Sequence, residues 1–397
     1  MDVNWSELRP EMIDTIAKKI TVFGDYIRFR AVCVEWCSTV PPTPQHLPCQ
    51  LPWLMLPFDG QNEKHGFLDL SEKKVHQLSI PETQTRSRCC GSSHGWLVLL
   101  EEKNPTILLL NPFTRIQIQL PPITSFPNVW DFQIHNVGEE YLVKYPFEEH
   151  PYPNKLEDIH DFFIKKVILS SNPTSLDKDY IAVAILDLTK ELAFCKKGDE
   201  SWTIIEAAES YCEDVIYFKG LFFAVNKEGS LAICDVNHVI SNVSPAVTII
   251  APPKPVSHAD MLYLVDSFGE ILLVTRYLNT ELDPELGCVV YKTTGFDVFS
   301  LDARKPKWVE VKSLGDRMLF LGGENSSLCL LATDFSGCEG NCIYFTDDYT
   351  EVNEVKPGDH DMGVFNLGDR SIKPLPYFTG VSRLFYPSPI WFTPNPC

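Results

Sequence analysis

The chain has 397 residues, more than a single hydrophobic core usually organises, and 44% of them are apolar, enough for a folded interior. Its formal charge of −19 would repel phosphate backbones and anionic membranes, so neither nucleic acid nor membrane is expected as a partner. There is no apolar run of roughly 18 residues, no basic and apolar leader after Met1, and the thirteen scattered cysteines suit reduced thiols, so a cytoplasmic and/or nuclear protein is expected.

Residues 1–40 carry five Lys/Arg against six Asp/Glu, which leaves nearly all of the acidic excess to the remainder. Within them Met12, Ile13, Ile16, Ala17 and Ile20 fall on one helical face, with Lys18 and Lys19 opposite. Ser6 is a candidate N-cap, and Pro10 suits a first helical turn, where its missing N–H costs little. A second stretch, with Asp25 as candidate cap, repeats the pattern with Phe29, Val32, Cys33 and Trp36. So short a segment, below about 40 residues, usually needs outside help to fold, so a partner is implied.

These residues resemble an F-box, the motif that binds the Skp-type adaptor of cullin-RING ubiquitin ligases. Leu8, Glu11, Met12, Ile13, Ile16 and Ile20 match the first part of that pattern; Arg28, Arg30, Val32, Cys33 and Trp36 match the second. Arg9 departs from it where proline is usual, with Pro10 following, and Cys37 departs where a basic residue is common. The resemblance implies that Leu8, Pro10, Ile13, Ile16, Ile20, Val32, Cys33 and Trp36 contact the adaptor.

Pro41-Pro42-Thr43-Pro44 breaks any helix, so residues 41–50 read as a linker. From residue 51 to 397 short apolar runs punctuated by Gly, Pro, Asn and Asp predict strands. A unit recurs in which an apolar strand ends at Asp or Asn, turns, and leads to another strand. The turn residues are Asp69, Asn111, Asp187, Asp235, Asp302 and Asn366, spaced 42, 76, 48, 67 and 64 residues apart. Their side chains bond to nearby backbone and favour turns. Several units include a strand opening with Gly, at Gly95, Gly220 and Gly269. Such repeats suit a kelch-like β-propeller, with six blades favoured; two sandwiches would give similar spacing. The terminal Pro389-Ile390-Trp391-Phe392-Thr393 is expected to close the ring against residues 51–56.

Three blocks, beginning at Asp214, Trp308 and Gly340, resemble plant F-box proteins with a C-terminal kelch-like domain. The expected fold class is therefore mainly β, with small N-terminal F-box helices (1–40), a linker (41–50) and a kelch-like propeller (51–397).

Candidate chemistry is sparse. Gly91-Ser92-Ser93-His94-Gly95 fits the G-x-S-x-G spacing of a hydrolase nucleophile elbow, but Thr85 to Arg88 is no buried strand and no helix follows, so a tight turn is expected. Cys338 and Cys342 lack a second ligand pair for zinc. Asp347, Asp348, Asp359, His360 and Asp361 lack calcium-loop spacing and read as a solvated loop. Residues 146–161 read as a long exposed insertion. No catalytic residue, metal or cofactor is expected. The resemblance implies a substrate receptor that joins a Skp-type adaptor and cullin and holds an unidentified protein substrate. A ligase-independent scaffold and a propeller enzyme or small-molecule binder are the alternatives.

Overall fold

Proline precedes or opens an element at both ends of the chain, Pro10 at the start of the first helix and Pro389 before the terminal strand Ile390–Phe392. The computed structural model describes residues 5–41, 44, 46–47, 50–56, 64–80, 87–101, 104–175, 177–237, 245–253, 258–283, 288–302, 304–324, 326–349, 361–375 and 389–394. A 3-10 turn, Trp5–Glu7, precedes helix α1, Pro10–Ala17. Its first residue is Pro10 and its cap is Arg9 in extended conformation, so Ser6 lies too early to cap it. Helix α2, Phe23–Arg30, begins after Val22. Asp25 is inside its first turn rather than at the cap, and there it pairs with Arg28 at 2.7 Å.

The second helix ends sooner than its periodicity predicts. Ala31 leaves helical geometry, Cys33 is extended (φ −159°, ψ 173°), and a third helix, α3, runs Val34–Thr39. Val32 and Cys33 are weak helix formers, and breaking the chain there lets Trp36 fold back on Phe29, with ring centroids 4.3 Å apart.

Beyond the helical module the described residues form seven sheets, joined by turns and short helical segments. Sheet I pairs Ile390–Phe392, Trp53–Met55, His65–Asp69 and Lys74–Leu78 in that order; sheet II runs Ser87–Ser93, Trp96–Glu101, Ile107–Leu110 and Gln117–Leu120. Sheet III runs Ile164–Leu169, Ile181–Leu186, Glu191–Lys196 and Thr203–Ile204; sheet IV runs Asp214–Phe218, Leu221–Val225, Leu231–Asp235 and Ala246–Ala251. Sheet V comprises Met261–Ser267, Glu270–Asp283, Cys288–Asp302 and Lys307–Glu310. Sheet VI has five strands: Leu328–Leu331, Arg317–Leu321, Cys342–Phe345, Gly363–Asn366 and Ile372–Lys373. A three-stranded insert sheet of Tyr152–Asn154, Tyr141–Val143 and Val129–Phe132 lies between II and III in sequence.

Strands of period two can bury both faces when each face meets a different neighbour. Trp53 and Met55 of sheet I join the cluster with sheet II, whereas Leu54 between them joins the cluster with sheet VI. The same alternation sends Leu97 and Leu99 toward I but Trp96 and Val98 toward III, and Val167 toward II but Ile168 toward IV. Ile216, Phe223 and Val225 carry IV onto V, and Tyr263 and Phe296 carry V onto Phe345 and Phe365 of VI. Phe320 and Tyr344 then meet Leu54 and Trp391 of sheet I. This is the mainly-β propeller packing expected; two sandwiches would not bury both faces of sheets I to VI against different neighbours.

Buried indoles bridge neighbouring sheets. Trp202 Nε1 donates to Pro121 O at 2.9 Å, Trp308 Nε1 to Gly229 O at 2.7 Å, and Trp391 Nε1 to Leu321 O at 3.0 Å. The sheets approach closely enough at Gly91 that a Cβ there would lie 2.5 Å from Val167 O.

The turn reading holds in detail at five sites. Asp69, Asn111, Asp235, Asp302 and Asn366 each accept backbone N–H groups two or three residues ahead. Asp187 is the exception: it joins the second and third strands of its sheet, and at the later turn Asp199 instead accepts an N–H from three residues behind, Lys196 N at 2.8 Å. The three glycine openings are two-residue hairpins with positive φ at both positions: His94–Gly95, Lys219–Gly220 and Phe268–Gly269. The terminal strand pairs as expected, Trp53 opposite Phe392, Leu54 opposite Trp391 and Met55 opposite Ile390.

Candidate functional site

The helical module builds a small core from Ile13, Ala17, Phe23, Tyr26, Trp36, Val40 and Leu47, with Leu8, Ile20 and Cys33 half-buried against it. Its outside cover comes from the same chain: Phe113 of sheet II meets Phe23 edge-on at 5.2 Å and also touches Trp53 and Phe392. Segment 41–50 packs back on the helices through its described residues. Tyr26 Oη donates to Pro41 O at 2.7 Å, His46 Nε2 lies 3.0 Å from Ala17 O, and Gln50 Nε2 donates to Thr21 O at 3.1 Å.

This arrangement divides the eight expected adaptor contacts. Ile13 (1% exposed) and Trp36 (6%) face inward in the free chain, and Trp36 Nε1 donates to Trp5 O at 3.2 Å. Leu8, Ile16, Ile20 and Cys33 are half-buried; Pro10 and Val32 are exposed. Periodicity did not separate Met12 and Val34 from their buried neighbours. With Trp5 (61% exposed) and Val32 (57%), Met12 (52%) and Val34 (79%) make up the module's exposed large apolar residues.

A second cluster of charged groups is buried where the first strands of the sheets converge. Arg88 of sheet II pairs with Glu324 at 2.7 Å and donates to Ile164 O at 2.7 Å. Lys166 of sheet III pairs with Asp214 of sheet IV at 2.7 Å, and the other oxygen of Asp214 accepts Leu264 N of sheet V at 2.8 Å. Arg276 contacts Asp348 at 2.6 Å, Asp361 at 3.0 Å and Thr346 O at 2.9 Å. Asp361 also accepts the Thr293 N–H, and Asp348 accepts Tyr263 Oη and Gly323 N. The solvated-loop reading is thus overturned for Asp347, Asp348 and Asp361, of which the first two are buried; Asp359 and His360 lie outside the described residues. Burial raises the Asp348 carboxyl although Arg276 opposes it, and burial likewise raises Glu324 against the pull of Arg88. Apart from Glu324 Oε2, which has no hydrogen-bond partner among the described residues, the carboxylates of the cluster are engaged by neighbours, an arrangement suited to locking sheets together.

The G-x-S-x-G spacing is a hairpin turn, as expected, but Ser87 and Arg88 do lie in a buried strand, Ser87–Ser93, against the reading of that stretch; Thr85 and Arg86 lie outside the described residues. Ser93 pairs with Trp96 across the His94–Gly95 turn, and His94 Nε2 is directed at Leu169 O, 3.2 Å away, rather than at a serine. Burial raises the thiols of Cys89 and Cys234 to about 12, so both stay neutral and act as packing groups. Cys338 and Cys342 have no metal-ligand cluster among the described residues. The cluster present there is Asp69, Glu72 and His76, with His76 Nε2 3.3 Å from Glu72 and 3.8 Å from Asp69. One oxygen of Asp69 is already committed to its turn.

The insertion reading needs one correction. Its first part is exposed, but Ile159, His160 and Phe163 turn into the core beneath the insert sheet. Tyr145, Phe147, Glu148 and Tyr152 line an open groove of about 600 Å³ on that sheet.

A helical module of this build followed by a β-propeller defines a class, the F-box proteins with a C-terminal propeller found in plants. Residues 67–366 match the family described as KIB1-4 beta-propeller, and the chain belongs to it. Over its whole length it is similar to F-box protein SKIP23 of Arabidopsis thaliana, 28% identical with 98% of this chain and 96% of the relative covered. It is likewise similar to F-box protein At2g17036 of the same plant, 27% identical with 98% and 95% covered.

Proposed function

We propose that this chain is the substrate-recognition subunit of a Skp-cullin-F-box ubiquitin ligase, acting in the cytoplasm and/or nucleus without catalysis of its own. The helical module would dock the Skp-type adaptor, the propeller would hold a protein substrate, and other subunits would transfer ubiquitin. The observation that carries this reading is the exposed apolar set Trp5, Met12, Val32 and Val34 on a module of F-box type. Several large apolar side chains left in water on one small module point to an interaction surface. The receptor's contribution to rate is proximity, because tethering raises the effective concentration of substrate lysines near the conjugating enzyme. Co-expression with a Skp-type adaptor tests it. Met12→Asp combined with Val34→Asp is expected to abolish co-purification while the circular dichroism of the chain is unchanged; retention of the adaptor by this variant would refute the assignment.

A further inference from the structure

The insert sheet is the one sheet that does not belong to the repeating series, and its surface differs in kind from the rest. Trp130 is 56% exposed, Phe147 92% and Tyr152 48%. Phe147 is held at φ 66°, a left-handed conformation uncommon outside glycine, asparagine and aspartate, which projects the ring into solvent from a turn. Tyr145 and Tyr152 stand edge to face, 5.9 Å apart, and the Tyr152 hydroxyl donates to Glu148 at 3.1 Å. The rings of Tyr145, Phe147 and Tyr152 therefore share one groove with a carboxylate.

The surroundings give the occupant its sign. Residues 129–161 contain eight Asp/Glu against two lysines. One lysine already illustrates the chemistry, since Lys144 Nζ lies 5.3 Å from the centroid of the Trp130 ring. Lys190 reaches the groove wall, but Asp187 neutralises it at 2.6 Å. Aromatic faces with a nearby carboxylate attract cations, most strongly when several rings converge. Pro153 sits in the middle of the edge strand and offers no N–H, so an incoming peptide is poorly served by adding a strand there and is recognised through side chains.

We infer that this groove binds a lysine-bearing, extended basic segment of the substrate protein. The inference rests on the substrate-receptor reading but concerns a different surface from the adaptor's. Lys190 also borders the polar cleft containing Lys165, Asp214 and Asp348, so the groove opens beside the convergence of the first strands.

The test uses the full chain and a fluorescein-labelled Gly-Ser peptide carrying several lysines, read by fluorescence anisotropy, with acetyl-lysine and arginine counterparts. Binding of the lysine peptide is expected. Acetylation should abolish it, and Phe147→Ala with Tyr152→Ala should weaken it about tenfold, the loss of two exposed cation–ring contacts. Glu148→Lys should weaken it further. Equal affinity of the double variant would place the binding elsewhere on the acidic surface and overturn the inference, as would undiminished binding of the acetylated peptide, no binding at all, or binding of the arginine peptide alone. Adaptor co-purification, measured on the same variants and expected to be unchanged, reports the receptor assignment separately.

Discussion

Trp36 and Met12 lie within one small module but do opposite jobs. Trp36 is a core residue, so Trp36→Ala is expected to cost about 3–5 kcal/mol of the module's stability and to lose the adaptor by unfolding the site. Val34→Asp touches only solvent and should lose the adaptor with the fold intact. Circular dichroism alongside co-purification separates the two. Arg9 occupies φ −65°, the value proline imposes, and precedes a proline with ψ 144°, so Arg9→Pro fits its backbone without strain. Equal or tighter adaptor binding by calorimetry is expected; weaker binding would mean that the Arg9 side chain makes a contact of its own.

Burial also gives the chain a pH dependence. The His65 imidazole is pushed down to about 4 from an ordinary 6.5, chiefly by desolvation. Unfolded, it takes up its proton near 6.5; folded, only near 4. The unfolded chain therefore binds more protons in this interval, and stability present above pH 6.5 is lost as pH falls toward 4, by about 3 kcal/mol. Urea titrations across that range should show the slope, and His65→Leu should flatten it; an unchanged slope would rule out His65 as its source.

At the scale of elements, what the sequence made legible was what is local. Asp69, Asn111, Asp302 and Asn366 announce their turns because the bonds they make reach only two or three residues ahead. The terminal strand was also legible, since an apolar run at the end of a repeat series needs an edge and Trp53–Met55 supplies one. The Arg276 network was not. Asp348 and Asp361 lie 72 and 85 residues from Arg276, and only the packing of sheet V on sheet VI makes them partners. The break before α3 was hidden because Trp36 keeps helical spacing to Phe29 on a different helix. Two measurements follow. Arg276→Met removes the cation from the buried Asp348 and the half-buried Asp361 and should cost about 3–5 kcal/mol in denaturant unfolding. Deleting residues 389–397 exposes the Trp53–Met55 edge and should lower the thermal midpoint and promote aggregation; an unchanged midpoint would show that the strand adds nothing.

For the whole molecule, the helices and the sheets are not independent beads. Phe113 links Phe23 of the helical module to Trp53 and Phe392 of sheet I, so the orientation of the adaptor surface is set by the propeller. A receptor needs that coupling if substrate lysines are to be presented at a fixed distance from the conjugating enzyme. If the chain holds a basic substrate as proposed, the acidic total is expected to make that association salt-dependent, with affinity falling between low and physiological ionic strength. The most direct test of the central claim is reconstitution of the purified full chain with a Skp-type adaptor and a cullin, followed by size-exclusion chromatography with light scattering. A stable assembly containing all three proteins, lost on combining Met12→Asp with Val34→Asp, is the predicted result; a chain that elutes alone, or a double variant that assembles as well as the wild type, would contradict it.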